Sequence, residues 1–267
     1  MRVALNQSCL PGITTAEFVA LAAESGAEGV ELRLLGAAES PAVIAKAAAA
    51  GGLPVESVGP LMDWALPDDP DATENLDVLL EVAAVSGSDV IVCVGPMSER
   101  PLPPREVLMA AAVDHLAKLA ERAWAGGVRL ALEQVGRSSS RPNASSGLAS
   151  LADALAVVEA VGEGAGLCVD SYNLATAGVS YRELAFVPPG RIAVTQFADR
   201  DPDSPWRALP GEGDLELTGF VAALHASGFS GALSVETFPQ QPWQDPLSAA
   251  RRAVAAAGRF LGQGEPA

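Results

Sequence analysis

The chain has 267 residues, of which 49% are hydrophobic and 5% aromatic, and it carries a formal net charge of -16. That length suits two small domains or one α/β barrel, because barrels occupy roughly 250 residues as a single domain. The acidic balance offers no phosphate-neutralising patch, which argues against nucleic acid and anionic membrane surfaces as partners.

Strand and helix signals alternate along the whole chain. Strand-like apolar runs lie at 2–7, 28–34, 53–59, 89–94, 128–133, 165–170, 191–196 and 231–236. Ala-rich, helix-length segments separate them at 14–25, 40–50, 72–86, 105–125, 147–161, 180–186, 215–227 and 246–261. Thr14 or Thr15 caps the first helix, and Ser40 stands as a cap directly ahead of Pro41 at the first helical position. Gly26, Gly51, Gly126 and Gly228 each follow a helix just before the next strand. Alternating β and α units imply a parallel sheet. Eight of them predict one (β/α)8 TIM barrel over residues 1–262, with 263–267 as a frayed tail. A doubly wound open sheet would place a Gly-rich phosphate loop after its first strand, whereas Asn6-Gln7-Ser8-Cys9-Leu10-Pro11 stands there. Segments 67–73 and 101–104 read as loops over the barrel mouth.

No apolar stretch approaches the roughly 18 residues of a membrane span. The chain opens directly into Arg2-Val3-Ala4-Leu5, with no signal-peptide pattern ahead of it. Cys9, Cys93 and Cys168 are odd in number and lack metal-ligand spacing, so buried reduced thiols in a cytoplasmic protein are expected.

In the second half, Leu130-Ala131-Leu132-Glu133, Leu167-Cys168-Val169-Asp170 and Leu233-Ser234-Val235-Glu236 are apolar runs that each end on one acid. A carboxylate at the exit of a buried strand is costly unless something positive meets it. In a barrel, residues at the C-terminal strand ends converge on one mouth. The chain's two histidines, His115 and His225, and its two lysines, Lys46 and Lys118, fall inside predicted helices. A Schiff-base lysine at a strand end and a clustered-histidine site are thereby excluded. The acid/base groups left are carboxylates, assisted by Tyr172, arginines and a metal.

Glu133, Asp170, Gln196 and Glu236 close four consecutive strands. Four oxygen ligands, three of them anionic, suit Mn²⁺ or Mg²⁺, with Co²⁺ tolerated. Such a cation, chelated by two adjacent substrate oxygens, acidifies the neighbouring C–H and stabilises an enediolate. Glu133 and Glu236 would then exchange the proton. Around the mouth, Glu31 and Arg33 end the second strand, and the Arg33 fork suits a carboxylate or hydroxyl. Arg137 and Arg141 lie in a polar loop that reads as a lid. The stretch Arg207–Asp214 is a Gly-rich turn able to aim backbone N–H groups at an anion. Trp64 and Trp206 are placed to wall the pocket against water.

From Leu130 to Phe238 the order Leu-Glu, Val-Asp-Ser-Tyr-Asn, Val-Thr-Gln-Phe-Ala-Asp, Leu-Pro-Gly-Glu-Gly-Asp-Leu and Leu-Ser-Val-Glu-Thr-Phe resembles the xylose-isomerase-like TIM-barrel superfamily. That group holds sugar isomerases and epimerases, inosose dehydratase and 3-dehydroshikimate dehydratase. The resemblance implies a divalent metal on Glu133, Asp170, Gln196 and Glu236, and a substrate contact at Asn173; Asp199 and Arg207 are further candidates for substrate contact. Most members have histidine at the position of Gln196, although dehydroshikimate dehydratases resemble this chain in having glutamine. The family also has histidine where Asn173 stands, and asparagine cannot act as a general base. The DNA-repair branch, endonuclease IV, needs a histidine-rich cluster and a basic groove, which this chain lacks. The expectation is a metal-dependent isomerase or epimerase of a small polyhydroxylated ketose, cyclitol or keto acid. A dehydratase is the alternative, and a non-catalytic binding protein that kept the barrel is the second; a homodimer is open to it.

Overall fold

The computed structural model describes residues 1–69, 71–136 and 144–261. Eight strands form a closed barrel: β1 (Arg2–Asn6), β2 (Gly29–Arg33), β3 (Val55–Leu61), β4 (Val90–Val94), β5 (Arg129–Glu133), β6 (Ala165–Asp170), β7 (Ile192–Phe197) and β8 (Ala232–Val235). Each pairs in parallel with its neighbours, and β1 closes the ring by pairing with both β8 and β2. The predicted barrel is therefore the one observed. Strands covered on both faces read as continuous apolar runs, and all six residues of β6 are buried.

Outside the ring lie α1 (Thr15–Ser25), α2 (Pro41–Ala50), α3 (Thr73–Ser86), α4 (Arg105–Trp124), α5 (Leu151–Val161), α6 (Ser171–Thr176), α7 (Leu217–Ala226) and α8 (Pro246–Gly258). Thr14 caps α1 in a reciprocal capping box with Glu17. Ser40 precedes Pro41 as expected, but its side chain makes no capping bond. The left-handed residues after α2 and α4 are Gly52 and Gly127, one position beyond the glycines expected there. Segment 180–186 is a 3-10 helix, Tyr181–Phe186. The short α6 had no sequence signal of its own, since six residues are too few to show a helical period.

Two antiparallel ribbons decorate the structure: Met97–Ser98 with Ser145–Ser146, and Asp199–Arg200 with Arg207–Ala208. The main apolar core fills the space between strands and helices. A second, separate cluster of Val90, Val92, Ala131, Cys168 and Val194 fits the inside of the ring. All three cysteines are buried and free. Among the described residues no helix is long and apolar enough to cross a membrane.

Candidate active site

Strand parity explains why the site residues meet. Side chains two apart on a strand face the same way. Glu133 follows Ala131, Asp170 follows Cys168 and Gln196 follows Val194, so three of the interior apolar residues carry a polar residue directly above them. Register does the rest: Gln196 pairs with Asp170 on one side and Ser234 on the other, and Asn6 pairs with Glu31. The resulting polar layer forms the floor of a cavity of about 240 Å³ that Glu31, Arg33, Glu133, Asn173, Gln196, Arg207 and Glu236 help to line.

Asp170 is fully buried and serves two elements. Its Oδ1 accepts the Asn173 backbone N–H at 2.7 Å, which caps α6. Its Oδ2 accepts from Arg207 Nη1 at 2.6 Å, and the same Nη1 donates to Glu236 Oε2. The Arg207 guanidinium also stacks over the rings of Tyr172 and Phe238, 5.1 Å from each centroid. On the other side of the layer, Asn173 Nδ2 donates to Glu133 Oε1 at 2.5 Å. Gln196 Nε2 donates to Glu31 Oε1 at 2.8 Å and to Glu236 Oε1 at 3.3 Å. Asn6 Nδ2 reaches the same Glu236 oxygen at 3.2 Å, and Ser234 Oγ donates to Glu31 Oε2 at 2.7 Å. Gln196 Oε1 is buried with no hydrogen-bond partner.

Four carboxyl groups thus lie out of water, with Glu31 3%, Glu133 6%, Asp170 0% and Glu236 5% exposed. Burial raises the Glu133 pKa well above the usual range, and repulsion from Glu236 and Asp170 adds to it. Burial also raises Glu236, to about 7; Arg207 opposes the rise, while Glu31 and Asp170 reinforce it. Glu31 is raised by burial against the pull of its bonds from Ser234 and Gln196. Burial works against the charge of Arg207, but Asp170 and Glu236 hold the guanidinium firmly protonated.

The donor chemistry fits a hard divalent cation. Three carboxyl groups and one unpartnered amide oxygen come from consecutive strand ends, an all-oxygen donor set of the kind such a cation takes. As the side chains stand, no group of three or more His, Cys, Asp or Glu among the described residues is set to hold a metal ion. Arg207 Nη1 lies between Asp170 and Glu236 and takes up an oxygen of each.

Several expected site residues are placed elsewhere. Trp64 does not line the cavity: it is 2% exposed, and its Nε1 donates to Val94 O at 2.9 Å. An indole bent back onto a strand end packs the core and cannot wall the pocket; Trp206 does line it. Asp199 does not line the cavity either. Its Oδ2 accepts from Gly211 N, and its Oδ1 from Leu215 N and Arg200 N. It is the clamp of the loop that carries Arg207, and it takes up the Gly211 N–H, one of the turn's donors expected to serve an anion. Arg137 and Arg141 lie outside the described residues, as does the 263–267 tail. Asn6, Ser234 and Phe238 belong to the site and were not singled out. Asn6 carried the same signal as Glu133, a polar residue directly closing an apolar strand.

The sequence model of a family described as xylose isomerase-like TIM barrel matches residues 19–257. Inosose isomerase of Halalkalibacterium halodurans is 27% identical over 176 residues, 62% of this chain and 59% of that protein. The match thus spans less than two thirds of that relative's length. The 3-dehydroshikimate dehydratase of Pseudomonas aeruginosa is 31% identical over 135 residues, 47% of this chain and 20% of its own. Among solved structures, an IOLI protein with a bound zinc atom superposes over 100% of both chains with a TM-score of 0.87 at 20% identity.

Proposed function

This chain belongs to the xylose isomerase-like TIM barrel family, and from that premise we propose that it is a divalent-metal-dependent isomerase or epimerase of a small ketose, cyclitol or keto acid. One observation carries the proposal: Glu133 and Glu236 are both buried at one cavity, and burial raises both pKa values. Carboxyl groups tuned upward in this way can give as well as take a proton near neutral pH.

The two environments differ, and the difference assigns roles. Glu236 accepts from Arg207, Asn6 and Gln196, so its carboxylate form is the better supported and it removes the proton beside the carbonyl. Glu133 accepts from Asn173 on Oε1, which leaves Oε2 to carry the proton that is returned. Asn173 orients Glu133 and takes no proton itself. Trp206 and Phe238 help to line the cavity. A divalent cation held by Glu133, Asp170, Gln196 and Glu236 would, when bound, acidify the C–H by drawing charge from the carbonyl oxygen.

The likeness to 3-dehydroshikimate dehydratase supports a second reading, in which the same proton removal is followed by expulsion of water from the adjacent carbon. Metal analysis, then solvent-deuterium wash-in across a ketose, an inosose and 3-dehydroshikimate, separates the readings. Deuterium incorporation without loss of water is the expected result. Loss of water favours the dehydratase, and silence across the panel favours a barrel that only binds.

A further inference from the structure

We propose that the cavity takes a small carboxylate, a keto or hydroxy acid with few hydroxyls, and that Arg33 is the residue that reads its carboxylate group. This rests on the reading of the site as one for a small carbonyl compound and narrows its substrate class.

Arg33 ends β2 and lines the cavity. Its backbone N–H is held by Gln7 Oε1 at 3.1 Å, and its guanidinium lies over the Phe238 ring, 5.4 Å from the centroid. The other face of the problem is charge. Arg207, the second cavity guanidinium, is bound to Asp170 and Glu236. Arg2, Arg105, Arg122, Arg200, Arg251 and Arg252 each pair with an acid as well. Arg33, like Arg100, Arg129, Arg182, Arg191 and Arg259, has no carboxylate within ion-pair distance among the described residues; of these six it is the one that lines the cavity, where its charge is felt by Glu236. A stacked fork that lines the cavity and is not itself ion-paired is suited to a carboxylate brought by the ligand.

Apolar side chains beside this guanidinium say what the rest of that ligand is. Leu35, Pro60, Met62, Val94, Met97 and Val135 line the same cavity. A hydroxyl turned toward these side chains loses its bonds to water and gains none. An acid with one apolar edge fits both the guanidinium and these side chains. The cavity, of about 240 Å³, suits a small ligand.

The test is direct binding by calorimetry to the full chain, loaded with Mn²⁺ and metal-free. Shikimate, glycerate and 2-oxobutanoate are compared with their methyl esters and with the neutral polyol myo-inositol. At least one acid should bind about 10- to 100-fold more tightly than its ester, as expected for hydrogen bonds to a charged group. Arg33→Met, which keeps a stem against Phe238, should erase that preference, and Arg33→Lys should keep only part of it. The proposal is overturned if esters or myo-inositol bind as well as the acids, if the preference survives Arg33→Met, or if no acid of the panel binds. No arm requires turnover. An acid preference without isotope exchange leaves the Arg33 subsite standing and removes the isomerase; exchange on a neutral sugar, undiminished in Arg33→Met, does the reverse.

Discussion

Gln196 donates its side-chain N–H to Glu31 at 2.8 Å and so turns its own amide oxygen, which has no partner, away from that acid. Glutamine presents either a donor or an acceptor according to how its amide is turned, and only the oxygen can serve a cation. Glu31 settles the orientation, and Ser234 in turn fixes Glu31. Glu31→Met should weaken Mn²⁺ binding roughly 10- to 100-fold, the usual effect of losing a group that orients a ligand. Glu31→Gln can still accept from Gln196 and should retain most of the affinity. Titration calorimetry of the three proteins decides it, and equal affinities would remove Glu31 from this role.

Glu133→Gln and Glu236→Gln keep the shape of each side chain and abolish its proton transfer. Each should lower the rate of deuterium wash-in about 10²- to 10⁴-fold while far-UV circular dichroism stays unchanged. Wash-in at the normal rate in either variant would rule that glutamate out as a proton carrier.

The pH dependence of stability has a definite sign. Burial lifts Glu236 from its ordinary value of 4.5 to about 7, so between those pH values the folded protein holds a proton that the unfolded chain has released. Stability is then greatest below about pH 4.5 for this group and falls as pH rises through 7. The loss amounts to about 3 kcal/mol at 1.36 kcal/mol per pKa unit. In chelator, thermal unfolding should therefore move to lower temperature from pH 5.5 to pH 8. Glu236→Gln should flatten that slope, and Mn²⁺ at pH 8 should offset it.

Arg207 stands between Asp170 and Glu236 and supplies their buried positive charge. Removing one partner of a buried ion pair costs about 3–5 kcal/mol. For a domain of this size that is roughly 10 °C in Tm. Arg207→Met should show this loss in chelator and regain more stability from Mn²⁺ than the parent does, because guanidinium and cation serve the same two oxygens. Equal Mn²⁺ shifts in the two proteins would separate Arg207 from the proposed metal centre.

The loop that delivers Arg207 has no room at Gly213, where an added Cβ would lie 2.2 Å from Arg200 O and 2.5 Å from Asp199 Oδ1. Gly213→Ala should push the loop off its clamp and cut substrate turnover far more than it lowers Tm. Comparing kcat/KM with the melting curve tests this.

The alternation of apolar runs with helix-length segments determined the barrel from sequence alone, because strands covered on both faces and helices covered on one leave different periods. It also put Glu133, Asp170, Gln196 and Glu236 at strand ends, since parity and strand length are local properties. Partners across the ring were not legible. Nothing near Arg207 in the sequence says that it reaches Asp170, 37 positions earlier, and Glu236, 29 positions later. Nor does the local chain say that Asp199 spends its oxygens on its own loop or that Trp64 turns into the core. Hydrogen bonds and ion pairs between strands depend on ring closure and on register, which bring residues far apart in the chain to one point. Only the closed tertiary structure decided which polar groups satisfy one another and which, like Gln196 Oε1 and Arg33, are left facing the cavity.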